Sequence, residues 1–238
     1  QEEVVVETLD LKEALCPKDL TSKWMSQVMR DGSNPEQLPF EDFIVNGKVA
    51  KLATVIESMY WKVDKVNGTG NFALVDGMAA FLEGKDSIYV ATASGATTKD
   101  NIIDKVEAMV NALPEQLLDQ TDLAIYMGSA DYRTYINALI ASQYPINSES
   151  QAKPYGKSIS IPGYDVEVIM TNGLSGANNW YATSKKNLVM VTDLTSDSEN
   201  ITIWYSQDND EYRLKTTFKM GVGAYFTGLI VHNNPNIG

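Results

Sequence analysis

One cysteine, Cys16, and one histidine, His232, are all the thiol and imidazole groups that this 238-residue chain offers. A single thiol closes no intrachain disulfide, so a disulfide-stapled secreted scaffold is excluded. A structural zinc site, which takes about four ligands drawn mostly from Cys and His, is excluded with it. Any Ser-His-Asp or Cys-His site would have to use His232, which stands in a polar terminal stretch, HNNPNIG, that reads as frayed. No apolar run approaches the roughly 18 residues of a membrane-spanning helix. There is no long acidic run either. The net charge of -12 is spread along the chain, which favours solubility and gives no general affinity for nucleic acid. No secretory signal pattern opens the sequence, and Gln1 rather than Met stands first, which points to a processed or truncated N-terminus.

What is present suits a globular protein. Hydrophobic residues make up 44%, and a chain of this length buries a sizeable core as one large domain or two small ones. The stretch TDLAIYMGSADYRTYINAL, Thr121 to Leu139, organises the middle. Leu123 to Met127 is a short apolar run, as expected of a strand covered on both faces. Gly128 breaks it, Ser129 is placed to cap a helix, and Asp131 puts a negative charge in the first turn. Tyr132, Tyr135, Ile136, Leu139 and Ile140 then recur at helical spacing. An earlier helix has Thr98 as its cap and Asp100 in its first turn. It presents Ile102, Ile103, Val106, Met109, Val110 and Leu113 to the core and ends before Pro114. A small sheet sandwiched by these two helices is the expected centre.

Upstream, Glu2 to Leu11 is a Val-rich candidate strand with little sequence context to pair with. Pro17 to Arg30 reads as a helix and Asp31 to Pro39 as a loop. Phe40 to Val63 is the longest helical stretch, with Val45, Val49, Leu52, Ile56, Met59 and Val63 on one narrow stripe and a length of ~30 Å. Gly47 weakens its first half by up to about 1 kcal/mol relative to Ala. Asn67 to Asn71 is a turn, Asp76 to Leu82 a short apolar segment, and Ile88 to Ala91 a brief strand. Downstream, Ser142 to Ser158 is polar and reads as an exposed loop. Val166 to Met170, Trp180 to Ala182 and Leu188 to Thr192 read as strands. Ile201 to Tyr205 and Glu211 to Val222 flank a QDND turn, a hairpin signal. In the second arm Tyr212, Leu214, Thr216, Phe218, Met220 and Val222 share one face, and Arg213, Lys215, Thr217 and Lys219 the wet one. Ala224 to Val231 continues the extended run.

No catalytic constellation emerges. Asp208, Asn209, Asp210 and Glu211 lack the glycine and the distant glutamate of a calcium loop, so they read as the hairpin turn. Gly68 to Gly70 is a GxG without the rest of a phosphate-binding motif. Asn67-Gly68-Thr69 and Asn200-Ile201-Thr202 are glycosylation triplets only in a secreted protein. None of the 31 acids stands in an aromatic-rich strand-end context that marks a carboxylate pair. Trp24, Trp61, Trp180 and Trp204 are scattered, as core or interface residues are. No catalytic residue, cofactor-binding residue or metal ligand is therefore assigned, which favours a structural or interaction protein.

The order of elements is the strongest signal. A long helix ends in MYWKVDKVNGTGNFALVDGM, and a second helix from Lys99 is followed by DLAIYMGSADYRTYINAL. A GYDVEVI strand, ATSKKNLVMVTDL and the hairpin ITIWYSQDNDEYRLKTTFKMGVGAYFTGLIV complete the series. This resembles the major capsid proteins of tailed phages, the Hong Kong 97-type family, over roughly Pro39 to Val231. The resemblance implies an α+β fold with a long spine helix, a central mixed sheet flanked by two helices, and a long C-terminal antiparallel hairpin. It implies a remnant of the N-terminal arm and extended loop in residues 1–38. A peripheral domain is then expected in 39–97, an axial domain in 98–216 and a return to the peripheral domain in 217–238. Family members carry a longer arm and loop before the spine helix, so the resemblance also leads us to expect that this chain folds alone without building shells. The lysine-asparagine crosslinks of some members are not carried over.

The function so implied is a structural subunit of a tailed-phage or prophage icosahedral capsid, self-assembling into pentamers and hexamers that enclose DNA. It would be non-enzymatic and without cofactors, would reside in the virion and would assemble in the host cytoplasm. Its partners would be copies of itself, with scaffold and portal proteins as further candidates, and neither a specific nucleic-acid sequence nor a membrane. The alternatives are a surface or periplasmic binding protein, with Trp180 and Tyr181 lining a ligand site, and a carboxylate-dependent glycan hydrolase.

Overall fold

A computed structural model of the chain describes residues 3–16, 18, 21–26, 40–93, 95–142, 158–161, 163–192 and 201–235. The loop expected at Asp31 to Pro39, and nearly all of the one expected at Ser142 to Ser158, lie outside the described residues. Within the helix expected at Pro17 to Arg30, residues 21–26 are helical. Along the chain follow β1 (Glu7–Leu15), the long helix α1 (Phe40–Lys62), α2 (Met78–Leu82), β2 (Ile88–Tyr89), α3 (Ile102–Asn111) and α4 (Glu115–Leu118). Then come β3 (Leu123–Met127), α5 (Ser129–Ala141), β4 (Ser158–Ser160), β5 (Val166–Met170), β6 (Tyr181–Ser184), β7 (Leu188–Val191), β8 (Ile201–Ser206), β9 (Glu211–Ala224) and β10 (Val231–His232). The chain divides into two units, one comprising Gln1–Val4, Glu57–Met190 and Val222–Gly238, the other Val5–Ile56 and Val191–Gly221.

The first unit is built on a six-stranded mixed sheet in the order β2-β10-β6-β3-β5-β4. Strand β3 lies inside it, parallel to β5 from Leu123↔Val166 to Met127↔Met170 and antiparallel to β6. Its unbroken apolar run fits this place, because an interior strand meets protein on both faces. Helix α5 lies on the crossover from β3 to β5, as parallel neighbours require. Alternation along the strands sorts their side chains between two faces. Leu123, Ile125 and Met127, with Val166, Val168, Trp180 and Ala182, join Ile102, Val106 and Met109 of α3 and Tyr135 and Leu139 of α5 in one core.

Helices α3 and α5 pack against each other on that one face, so they do not sandwich the sheet as expected. The opposite face is covered by the last turn of α1. The Trp61 ring stacks on Tyr181, with centroids 5.3 Å apart, and tilts over Tyr126 at 5.2 Å. Tyr126 points there because it alternates with Ile125 and Met127. Of the stripe expected along α1, only Met59 and Val63 are buried, and Val49 is exposed.

Both predicted caps are corrected. Ser129 is the first helical residue of α5 and Gly128 its N-cap, with no side-chain capping bond. A Cβ at Gly128 would stand 2.8 Å from the Leu174 carbonyl oxygen. The 174–175 backbone passes so close that the Ser129 hydroxyl bonds Ser175 Oγ at 2.8 Å instead of the helix amides. Helix α3 begins later than a Thr98 cap implies. Its N-cap is Asn101, whose Oδ1 accepts the Thr98 N–H at 2.8 Å and whose Nδ2 donates to the Ala96 carbonyl at 3.1 Å. The side chain that fixes the turn therefore belongs to Asn101 and reaches backward.

In the second unit β9 is flanked by β1 and β8, antiparallel to both. The N-terminal strand is Glu7–Leu15 rather than Glu2 to Leu11, and it does have a partner, paired from Glu7↔Met220 to Leu15↔Tyr212. The alternation of Leu9, Leu11 and Leu15 sets this register, because it matches the inward Leu214, Thr216 and Met220. Lys48 of α1 forms an ion pair with Glu13 on the same side. The hairpin turn falls at 207–210, as expected.

The run predicted at Ala224 to Val231 is not continuous. Strand β9 ends at Ala224, a single tight helical turn spans Thr227–Leu229, and β10 follows. Buried Asn187 diverts the chain. Its carbonyl accepts the Tyr225 N–H at 3.1 Å, its Oδ1 accepts the Phe226 N–H at 2.8 Å, and its Nδ2 donates to the Phe226 carbonyl at 2.9 Å. The Tyr225 and Phe226 side chains are left in solvent.

Candidate functional site

The residues that the sequence singles out for possible chemistry are scattered through the fold. His232 is 1% exposed and not frayed. Strand β10 lies between β2 and β6, and the segment after it is stitched down as Asn233 Oδ1 accepts the Trp180 N–H at 2.6 Å. Nothing in a polar tail rich in Asn signals that its amides will serve as strand partners. His232 Nε2 lies 3.0 Å from Ser87 Oγ. Burial holds its pKa below the ordinary histidine value, with the Asn234 backbone opposing. Cys16 is exposed and lies in the other unit.

Trp180 and Tyr181 are both fully buried, which overturns the reading in which they line a ligand site. Trp180 Nε1 donates to Asp131 Oδ2 at 2.8 Å, so Asp131 serves the helix dipole and anchors the indole at once. Over that indole, 6.0 Å from its centroid, stands the Lys105 ammonium. Lys105 is 5% exposed and donates to the Gly95 and Ala96 carbonyls at 3.0 and 3.1 Å. Burial lowers its pKa, and Asp131 opposes that shift. The spacing of Asp131, Trp180 and Lys105 along the sequence gives no hint of this cluster, which only the strand order assembles. Burial likewise pushes the Tyr181 phenol up to about 12.

The remaining acids near the sheet are engaged. Asp122 accepts from Ser184 Oγ at 2.8 Å, and Glu167 pairs with Lys185. Burial raises the Glu167 pKa, but bonds from Lys185 and Ser158 outweigh it and leave it below the usual carboxylate value. Asp64 closes the turn before Gly68 by accepting from Asn67 and Val66, which holds its carboxyl low. Asp210 accepts the Tyr205 hydroxyl within the hairpin, and Glu211 pairs with Arg213. Asn200 of the second glycosylation triplet lies outside the described residues. Among the described residues no group of three or more His, Cys, Asp or Glu comes together, and no helix is long and apolar enough to cross a membrane. Tyr225 and Phe226 are exposed, and Trp204 and Tyr205 half-exposed.

No protein-family model and no curated protein matches the sequence. The fold does find solved relatives. Over 98% of its length the chain is similar to a chain of the satellite phage P4 procapsid that includes the size determination (Sid) protein. The TM-score is 0.62, the identity 10%, and 73% of that chain is covered. The fold is the Hong Kong 97-type capsid fold. The capsid of Myoviridae phage XM1 shares it at a TM-score of 0.51 and 13% identity, over 97% of this chain and 73% of that one. So does the holo-SrpI encapsulin complex from Synechococcus elongatus, at 0.56 and 9%, over 97% and 74%. In this capsid fold α1 is the spine helix, the six-stranded sheet with α3 and α5 is the central mixed sheet, and β8 with β9 is the long C-terminal hairpin.

Proposed function

We propose that the chain is a structural, non-enzymatic subunit of an icosahedral tailed-phage or prophage shell that works by self-association. The observation that carries this reading is the capsid fold itself, which extends over nearly the whole chain and is similar to a procapsid, a capsid and an encapsulin complex. The half-buried acids and the lone histidine are taken up by internal bonds, which supports a building block over a catalyst. In this reading the bounds expected from sequence, 39–97 and 217–238 for the peripheral domain and 98–216 for the axial one, are redrawn along the two units. The six-stranded unit serves as the axial domain, and the unit of β1, β8, most of β9 and the first part of α1 as the peripheral one. Copies associate head to tail, because heterologous contacts close into rings of five and six from one surface. The net charge of -12 suits a wall that encloses DNA without adhering to it. The place of action is the virion, with assembly in the host cytoplasm and scaffold and portal proteins as further partners.

Velocity sedimentation of the product of the complete open reading frame tests this proposal. Megadalton particles are expected. A monomer at all concentrations, or a tight dimer closed through one isologous patch, would overturn it.

A further inference from the structure

An asparagine loses its side-chain amide most readily before glycine, which has no Cβ to hinder its backbone nitrogen from attacking the preceding side chain. The chain holds three such steps, Asn46-Gly47, Asn67-Gly68 and Asn172-Gly173. Two are protected by their place. Asn46-Gly47 lies within α1, where each N–H is committed to the carbonyl four residues back. Gly173 is buried, and its N–H donates to Glu57 Oε1 at 3.2 Å. Asn67-Gly68 instead lies in the turn after α1, and Asn67 is exposed. There Asp64 holds the groups that would react. Its backbone carbonyl accepts the Gly68 N–H at 2.8 Å, which engages the attacking nitrogen. Its Oδ2 accepts from Asn67 Nδ2 at 2.6 Å, which ties down the leaving group. Its Oδ1 accepts the N–H groups of Val66 and Asn67 at 2.8 and 3.0 Å and so fixes the turn. Hydrogen bonds to an ionised acceptor are roughly twice as strong as neutral ones.

We propose that Asn67-Gly68 is the deamidation site of this chain and that Asp64 is the latch that keeps it closed. In the opened turn the Gly68 nitrogen gives its proton to solvent and forms a bond to Asn67 Cγ. The Cγ–Nδ2 bond breaks and ammonia leaves, which closes a cyclic succinimide. Water then opens either carbonyl of that ring, to aspartate or to isoaspartate. The sequence consumes water, releases ammonia and involves no oxidation or reduction. Its rate follows the population of the opened turn, because the closed turn holds both reacting nitrogens. Either product sets a second carboxylate beside Asp64, where like charges repel, and isoaspartate also adds a methylene to the backbone of the turn. The bonds from Asn67 and Val66 keep the Asp64 carboxyl below its ordinary value against the effect of burial, so the latch stays ionised in mildly acidic solution. The inference is independent of the shell reading.

The test incubates the complete open-reading-frame product and its Asp64→Ala and Asp64→Asn variants at mildly alkaline pH. Peptide mass spectrometry reads the amide-to-acid mass gain at Asn46, Asn67 and Asn172 in each sample, and retention time separates isoaspartate from aspartate. Asp64→Ala removes every side-chain acceptor of the latch. It should speed conversion of Asn67 by about tenfold or more and leave Asn46 and Asn172 unchanged. Asp64→Asn keeps an acceptor for the backbone N–H groups but loses the one for Asn67 Nδ2, so its rate should fall between. Wild type in denaturant gives the rate of the open chain, and folded wild type should lie well below it at Asn67. If Asp64→Ala unfolds, the three asparagines convert together, and Asp64→Asn, shown folded by circular dichroism, decides. A folded variant whose Asn67 converts no faster than wild type, or a folded wild type whose Asn67 converts as fast as in denaturant, overturns the latch. Conversion of Asn46 or Asn172 ahead of Asn67 overturns the assignment of the site.

Discussion

Replacing Trp61 by alanine probes the packing that covers the second face of the six-stranded sheet. The indole is 5% exposed and lies against three tyrosines, Tyr60 edge-on at 4.9 Å, Tyr126 at 5.2 Å and Tyr181 at 5.3 Å. The neighbouring backbone is shaped around it, since a Cβ on Gly173 would come within 2.7 Å of Trp61 Cδ1 and 2.4 Å of the Glu57 carbonyl oxygen. Truncating a buried Trp removes its transfer free energy and leaves a cavity, together about 3–5 kcal/mol. In a chain of this size each kcal/mol moves the melting temperature by roughly 2–4 °C, so a fall of about 6–20 °C is expected. Trp61→Phe keeps a ring against Tyr181 and should recover part of the loss. Val66, 87% exposed, supplies the control, and Val66→Ser should stay within about 0.5 kcal/mol of wild type. Calorimetry and guanidinium unfolding followed by far-ultraviolet circular dichroism both read the difference. A loss below about 1 kcal/mol for Trp61→Ala would refute the claim that the end of α1 forms the cover.

Three further outcomes are expected. Ser129→Ala and Ser175→Ala should each cost about 0.5–1.5 kcal/mol, and the double variant no more than the larger single loss, because one shared hydrogen bond is removed either way; additive losses would sink the pairing. Leu214→Ala, at a site 2% exposed, should cost about 2–5 kcal/mol, whereas Phe218→Ala should fall below the 3–5 kcal/mol of a fully buried ring because Phe218 is only half-buried; equal losses measured by urea unfolding would contradict the register. His232 is buried in its neutral form, with a folded pKa below the unfolded value near 6.5. Its contribution is present above that pH and is lost as pH falls below it, because the unfolded chain takes up the proton first. Stability should therefore decline between about pH 7 and 5, more steeply than in His232→Gln, and identical pH profiles for the two proteins would refute this.

Much of the fold was legible because alternation and helical spacing are local signals. Strand β3 was read to the residue from LAIYM, and the wet and dry faces of β9 followed from Leu214, Lys215 and Thr216 in turn. The long helix and the hairpin turn were equally local. What escaped was set by distant partners. Ser129 looks like a cap until Ser175 arrives from 46 residues away, and His232 looks frayed until β2 and β6 close on it. That α3 and α5 share one face depends on strand order, which no local pattern encodes. The Asp131-Trp180-Lys105 cluster was invisible for the same reason, since its members come from a helix, a loop edge and another helix. No catalytic, cofactor or metal residue was assigned from sequence. The alternation of β9 marks its cations as a wet face, but which residues of β1 stand opposite them is set by the register alone.

The most direct test of the shell assignment is cryo-electron microscopy of the product of the complete open reading frame. The account predicts closed particles with five-fold and six-fold clusters, in which the spine helix and the six-stranded sheet of this chain fit the density of each subunit. Isolated globular subunits, or particles whose subunit density does not accept this fold, would contradict it.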